Sequence, residues 1–437
     1  MNVLLLVIDS LRASAVGVLG NGDAPDTPFL DRLATETIFF RRAHATECWT
    51  LPTHLSIFTG RLPSEHGAHF QHMGYAERFP TIAEIFAQAG YETEVVTRNP
   101  VFEGTLPGVT RGFQRNTRIL SAHSRGLNPL ALMLAASKPR FRRQVRESGF
   151  FHPLQRESRR FIAEFARSSV PADRELLTYL LERLETLRQR SRRFFLFANL
   201  FDVHAPYPPT ERSIFRSWRS LAACEENLTM PFVLPALGGH RYLRPGFRLR
   251  ERSRRLLLKR YHDAVALMDQ KLRDFFEEAD RLHLLDDTLV VLTSDHGEAF
   301  GEHGLYLHDA SVYQTHLHVP LYLRHPGMSP LEIDDVVSTK DLFGLLERVA
   351  DQMPERSGTI LDSAYRRQHP VALAEHWYYP HAPHTAPGYR QNLRAAVARH
   401  RKVIRDQGGL RIFRLDEDEG EQHPEVTSIE QLGDHLA

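Results

Sequence analysis

The sequence predicts an α/β protein with a doubly wound, mostly parallel sheet, helices on both faces, and a small antiparallel sheet at the C-terminal end. Continuous apolar runs such as NVLLLVI, FFLFANLF and TLVVLT read as strands buried on both faces. Helical patterns recur between them, and that alternation builds a parallel sheet. Beyond about residue 356 the rhythm changes to strand and loop. The division expected is a large unit over 1–355 and a small subdomain over 356–437.

In chain order, NVLLLVI is the first strand and ends at Asp9. HLSIFTG, after Pro52, is helical, because proline is favoured in a first helical turn. FPTIAEIFAQAGYETEVVT reads as helix, glycine cap and strand. ELLTYLLERLETLRQR spaces Leu176, Leu177, Leu180, Leu184 and Leu187 at helical intervals, so one face is buried. The surrounding stretch, 121–191, breaks the strand–helix rhythm and is expected to be a helical, arginine-rich insertion forming a wall or lid. YHDAVALMDQKLRDFFEEADRLHLLDDTLVVLTSD repeats the helix-to-strand unit at greater length. VPLYLRHP is a late strand and VVSTKDLFGLLERVADQ a late helix. PVALAEHWYY with the RKVIRD/LRIFRL pair suggests the final antiparallel sheet.

The bulk composition suits an enzyme. A chain of 437 residues that is 42% apolar can bury a large core. Its two cysteines supply no disulfide framework, which suits a reducing compartment. The opening apolar run is needed as a strand and is too short for a signal peptide, and nothing approaches the roughly 20 apolar residues of a membrane span. A cytoplasmic location is therefore expected. Net charge is +1, yet arginines crowd residues 115–260. They are expected to form a solvated helical face; the alternative is a patch for an anionic lipid, glycan or polyanion. Without interleaved aromatics, nucleic acid is not an expected partner.

The chemistry gathers in three places. In ATECWTLPTHLSIFTGRLPSEHG, residues 45–67, Thr50 stands two residues before Pro52, at a helix N-terminus, where backbone N–H groups and the macrodipole favour an anion. Such a hydroxyl is a candidate nucleophile, or simply an N-cap. Asp9 ends one parallel strand, and Asp295 with His296 ends another. Ligands of open α/β sheets collect at the carboxyl ends of strands. Asp9, Thr50, Asp295 and His296 together make an oxygen and nitrogen set for a divalent metal.

These residues and their neighbours resemble the sulfatase family of the alkaline phosphatase superfamily. The carriers are NVLLLVIDSLR, TLPTHLSIFTGRLPSEHG, FDVHAPY, YHDAVALMDQKL, LVVLTSDHGEAFGEHG and HVPLYLRHPG. The resemblance implies an alkaline phosphatase-like fold and at least one divalent ion (Mn, Zn, Mg or Ca). It also implies a metal-dependent hydrolase or transferase acting on sulfate or phosphate esters. Ordinary members carry a cysteine, converted to formylglycine, two residues before the proline. Here that residue is Thr50, and Cys48 falls outside the register. The motif's arginine is replaced by His54, an expected substrate contact. A formylglycine hydrate can expel sulfate by collapsing to an aldehyde, whereas a threonine ester must be attacked by water or an acceptor alcohol. Phosphoryl-type transfer is therefore favoured on mechanism, with an arylsulfatase-like activity as the alternative and a non-catalytic anion-binding module as the second.

The resemblance further makes His204 and His308 candidates for contacting the transferred group or protonating the leaving group, against ordinary loop histidines. Arg98 and Asn99 fall near the family's anion-contacting region, with loop capping as the other reading. A second metal would have to draw on Asp202, His204 and His308. The expected substrate is a small-molecule, glycan or lipid anionic ester.

Overall fold

The structure is a computed structural model describing residues 1–20, 22–75, 77–102, 108–120, 172–205, 207, 248–308, 311–353, 355–378, 391–407 and 409–427. Its main sheet contains β1 (Asn2–Ile8), β2 (Ile38–His44), β3 (Glu92–Thr97), β4 (Arg115–Arg118), β5 (Phe194–Leu200) and β6 (Thr288–Ser294). A small hairpin of β7 (Ala299–Phe300) and β8 (Tyr306–Leu307) precedes the last two main strands, β9 (His318–Arg324) and β10 (Leu331–Ser338). The eight-stranded order is β10-β2-β9-β6-β1-β5-β3-β4. Neighbours are parallel except at β9, which runs antiparallel to both β2 and β6. The mostly parallel sheet expected from the apolar runs is present.

The described α-helices are α1 (Pro28–Glu36), α2 (Thr50–Thr59), α3 (Pro63–His66), α4 (Ile82–Gln88), α5 (Asp173–Gln189), α6 (Glu251–Arg281), α7 (Gln314–Leu317), α8 (Leu342–Ala350) and α9 (Ser363–Gln368). They cover both faces of the sheet, so β1 divides its side chains between two cores. Leu4, Leu6 and Ile8 face a cluster with α1, α5 and α6. Val3, Leu5 and Val7 face another with α2, α4 and α8. Alternation along a strand buried on both sides explains why the run is apolar at every position. The helix–glycine–strand unit is realised: Thr81 and Glu84 form a capping box on α4, and Gly90 turns the chain with φ +81° before β3.

The expected insertion over 121–191 falls only partly on described residues. The leucines at 176, 177, 180, 184 and 187 are buried as their spacing required. Their helix, α5, lies on the sheet as the crossover helix entering β5, and packs beside α6. Leucine spacing dictates an apolar face but not what covers it. The remainder of the expected wall or lid, 121–171, lies outside the described residues.

A second, five-stranded antiparallel sheet follows: β11 (Ala372–His376), β12 (Leu393–Val397), β13 (Arg401–Asp406), β14 (Gly409–Arg414) and β15 (Glu425–Thr427). It docks on the main body through Glu375. That residue's backbone N–H donates to Thr46, and its carboxylate accepts from the Ser64 N–H and hydroxyl. Among the described residues no helix is long and apolar enough to cross a membrane.

The segment between α2 and α4 carries a titratable anchor. His66 is fully buried; its Nδ1 accepts from the Ala68 N–H, and its Nε2 reaches the Pro52 carbonyl at 3.2 Å. Burial holds its pKa down at about 3. An unfolded histidine titrates near 6.5, so between these values the unfolded chain binds a proton that the folded chain refuses. Stability should therefore fall as pH drops from about 6.5 toward 3, by about 1.4 kcal/mol per pH unit for this group. Urea unfolding across that range should show a shallower dependence in His66→Gln than in the parent.

Candidate active site

The parallel arrangement determines where the chemistry lies. β6, β1, β5 and β3 are consecutive neighbours, so their carboxyl ends open on one edge. From there the chain delivers Asp295 and His296, then Asp9, then Asp202 and His204, then Arg98 and Asn99. The turn after β1 is tight. Ser10 takes φ 64°, an uncommon left-handed conformation for a residue with a side chain. Its N–H donates to Asp295 Oδ1 at 3.1 Å, tying the ends of two strands together. Gly297 is required on the other side, because a Cβ there would stand 2.0 Å from the Thr315 carbonyl oxygen.

Asp9, Asp295 and His296 are wholly buried, and each offers a ligand atom within 4.8 Å of the others. Asp295 uses Oδ1 for the Ser10 and His296 N–H groups, and its Oδ2 has no hydrogen-bond partner. His296 sets its Nδ1 on the Gly297 carbonyl at 3.0 Å, so Nε2 carries the lone pair and likewise has no partner. That lone pair lies 3.4 Å from Asp295 Oδ2 and 3.9 Å from Asp9 Oδ1. Burial, reinforced by Asp9, drives the Asp295 pKa well up, and burial holds His296 well down, in the neutral form that coordinates metals. Two buried carboxylates facing an imidazole lone pair repel one another unless a cation lies between them. The donor set therefore fits a divalent metal.

Thr50 opens α2. Trp49 occupies the cap position with no side-chain hydrogen bond, so the N-cap role considered for Thr50 is not adopted. The Thr50 hydroxyl instead donates to Asp9 Oδ2 at 3.4 Å. Asn99 Nδ2 donates to the same oxygen at 2.9 Å, and Asn199 Nδ2 reaches it at 3.5 Å. Thr50, Asp9, Asp295, His296 and Asn99 are thus brought together.

His204 and His308 also converge, with ring centroids 5.0 Å apart, and His308 lies 4.5 Å from the His296 ring. His204 stacks on Phe201, and its Nδ1 meets the Ala205 carbonyl. Burial lowers its pKa. His308 sets Nδ1 2.8 Å from Glu298 Oε1, while Glu298 Oε2 accepts from the Tyr207 hydroxyl at 2.6 Å. Burial would raise the Glu298 pKa, but the histidine contacts bring it below the usual value.

Two expected substrate contacts have other surroundings. His54 has no exposed surface; its Nδ1 is 2.7 Å from the Thr50 carbonyl and 3.7 Å from Asp295 Oδ2. Phe58, Phe102 and Phe197 wall the ring, and burial takes its pKa to about 4. It braces the start of α2 from within the core. Arg98 is also buried, and its guanidinium binds Asp173 and Asp202. Asp202 is further held by Lys271 and by two N–H groups at the start of α5, which removes it as a ready metal ligand.

Sequence reasoning missed Glu298, Asn199 and Lys271. Glu298 stood inside the quoted SDHGE block, and Asn199 was the one amide in an apolar strand. Lys271 gave no local signal, since its partner is 69 residues away in the chain.

The sulfatase family profile matches residues 1–350. The chain belongs to the sulfatase family. Over 359 residues it is 25% identical to iduronate 2-sulfatase of Homo sapiens, covering 75% of this chain and 60% of that protein. It is 24% identical over 404 residues to choline-sulfatase of Rhizobium meliloti (strain 1021), covering 87% of this chain and 75% of the relative. Against the human enzyme the chain therefore spans about 60% of the relative's length. In structure it is similar to the phosphonate monoester hydrolase of Agrobacterium radiobacter, with a TM-score of 0.67 and 18% identity, covering all of this chain and 93% of the other.

The buried Arg98 network gives a direct test of its placement. Arg98→Met leaves the buried Asp173 without its guanidinium partner and Asp202 with Lys271 alone, a loss worth about 3–5 kcal/mol. Urea denaturation should show that destabilisation. A substrate-contacting arginine would instead raise KM at unchanged stability.

Proposed function

We propose that this sulfatase-family protein is a metal-dependent hydrolase of monoanionic phosphate or phosphonate esters, with Thr50 as nucleophile. The observation that carries the reading is the Thr50 hydroxyl bonded to Asp9 beside the unpartnered Asp295 Oδ2 and His296 Nε2. Residues 1–355 would carry the chemistry, with 356–437 as the smaller subdomain.

Asp9, Asp295 and His296, with Thr50, would hold the divalent ion, which lowers the pKa of a bound hydroxyl and stabilises charge on a transferring group. The N-terminus of α2 adds a fixed positive dipole end. The Thr50 hydroxyl passes its proton to Asp9 Oδ2, to which it is bonded, while Oγ1 attacks phosphorus, a new O–P bond forms and the bond to the leaving oxygen breaks. His308, held on the Glu298 carboxylate, is the imidazole placed to supply the departing alkoxide with its proton. His204, kept neutral by burial, contacts a substrate oxygen. Water then attacks the threonine ester and returns a proton to the imidazole, and Asp9 returns its proton to Thr50 Oγ1 as that O–P bond breaks.

Charge supports a monoanionic substrate. Arg98, Lys271 and Arg12 are already paired with carboxylates, Arg12 with Glu302 at 2.8 Å. Family membership favours a second reading, sulfate monoester hydrolysis, since the named curated relatives are sulfatases. Sulfate monoesters are also monoanions, so charge does not separate the two.

Thr50→Ala should lower turnover by on the order of 10⁴-fold or more while metal content stays near that of the parent. Normal turnover in that variant would remove Thr50 from the nucleophile role. Parallel kcat/KM values for an aryl sulfate, a phosphodiester, a phosphonate monoester and a phosphate monoester should rank the phosphodiester and phosphonate first and the dianionic monoester last. A leading aryl sulfate would establish the sulfatase reading. Chelation should abolish turnover, and added Mn²⁺ or Zn²⁺ should restore it.

A further inference from the structure

A second cluster of metal-ligand type lies where the small sheet meets the loop that enters α2. Glu47 and Cys48 come from that loop and His376 from the end of β11. All three side chains are buried, and their ligand atoms lie within 4.8 Å of one another. His376 Nδ1 is 2.9 Å from Glu47 Oε1 and 3.6 Å from Cys48 Sγ. Glu47 Oε2 and His376 Nε2 are buried with no hydrogen-bond partner. The family register leaves Cys48 without a role, and the site built on Thr50 does not use any of the three.

We propose that Glu47, Cys48 and His376 form a second metal site for a thiophilic divalent ion of the Zn²⁺ type. The chemistry of the donors favours it. A thiolate, an imidazole and a carboxylate are the three side-chain ligands Zn²⁺ takes, and tetrahedral geometry needs only one more donor, the second Glu47 oxygen or water. A thiolate is a poor partner for Mg²⁺ or Ca²⁺, which separates this site from the oxygen-rich one at Asp9. Binding through Nδ1 moves the imidazole proton to Nε2 and displaces the Cys48 thiol proton, so uptake releases a proton to solvent. An ion here cross-links the C-terminal sheet to the chain two residues before Thr50, a long-range staple where Glu375 already bonds Thr46 and Ser64.

The test uses the full chain, stripped with a chelator and reloaded with Co²⁺. Wild type should bind two ions per chain and show the near-ultraviolet absorption of a thiolate–cobalt bond. Asp295→Asn should keep that absorption while losing the other ion. Cys48→Ser should lose the absorption, bind one ion and unfold at lower temperature. Absence of thiolate absorption, whether one ion or two are bound, would overturn the site and show Glu47, Cys48 and His376 to be a hydrogen-bonded triad. The wild-type measurement needs no variant to fold, and it leaves the Thr50 chemistry untouched.

Discussion

The structure turns on the forced proximity of two buried carboxylates. β1 and β6 are parallel neighbours aligned from Asn2↔Thr288 to Ile8↔Ser294, so the next residues, Asp9 and Asp295, emerge side by side. Neither is exposed, and burial with mutual repulsion pushes Asp295 strongly toward protonation. The protein does not relieve this with an arginine. It orders the pair with N–H donors, places a neutral imidazole beside them and leaves ligand atoms without partners. That combination is costly for a fold by itself and favourable once a cation is bound.

The helix that presents Thr50 is held from several sides. His54 ties Nδ1 to the Thr50 carbonyl, and its ring is packed among phenylalanines of α2, β5 and the segment after β3. Every residue of α2 is buried. A hydroxyl on a buried helix has little freedom to move, and in the proposed nucleophile role such preorganisation would contribute to rate because no reorganisation accompanies the reaction. The small sheet adds its own contact through Glu375. The position of Thr50 thus depends on elements from both ends of the chain.

Much of this was legible in the sequence because its cause is local. An apolar run ending in a carboxylate is a strand pointing a ligand at the sheet's edge, and both Asp9 and Asp295 follow that rule. Thr50 was found from the proline two residues on. The failures have one physical origin, long-range pairing. The leucine stripe of α5 said that a face was buried, but not that it lay on the central sheet. Arg98 read as an anion contact until Asp173 and Asp202, 75 and 104 residues away in the chain, were seen to hold it. His54 stood where a charged side chain is expected, and only the surrounding phenylalanine rings show why a neutral one occupies the place.

The same pairing bears on substrate charge. Among the described residues, Arg98 and Lys271 are already matched to aspartates, so on the proposed reading an incoming anion would meet chiefly the bound cation, a helix N-terminus and imidazole N–H groups. With the Asp9 and Glu298 carboxylates beside Asp295, whose burial favours the protonated form, the site without its ion would disfavour an anionic ester. On the proposed reading, cation binding would therefore precede the anionic substrate. Each further negative charge on that substrate then meets these carboxylates with no spare basic side chain from Arg98 or Lys271 to offset it. Threonine chemistry alone would allow either phosphorus or sulfur at the reacting centre. On the proposed reading, it is the electrostatics around Thr50 that would favour esters carrying a single charge.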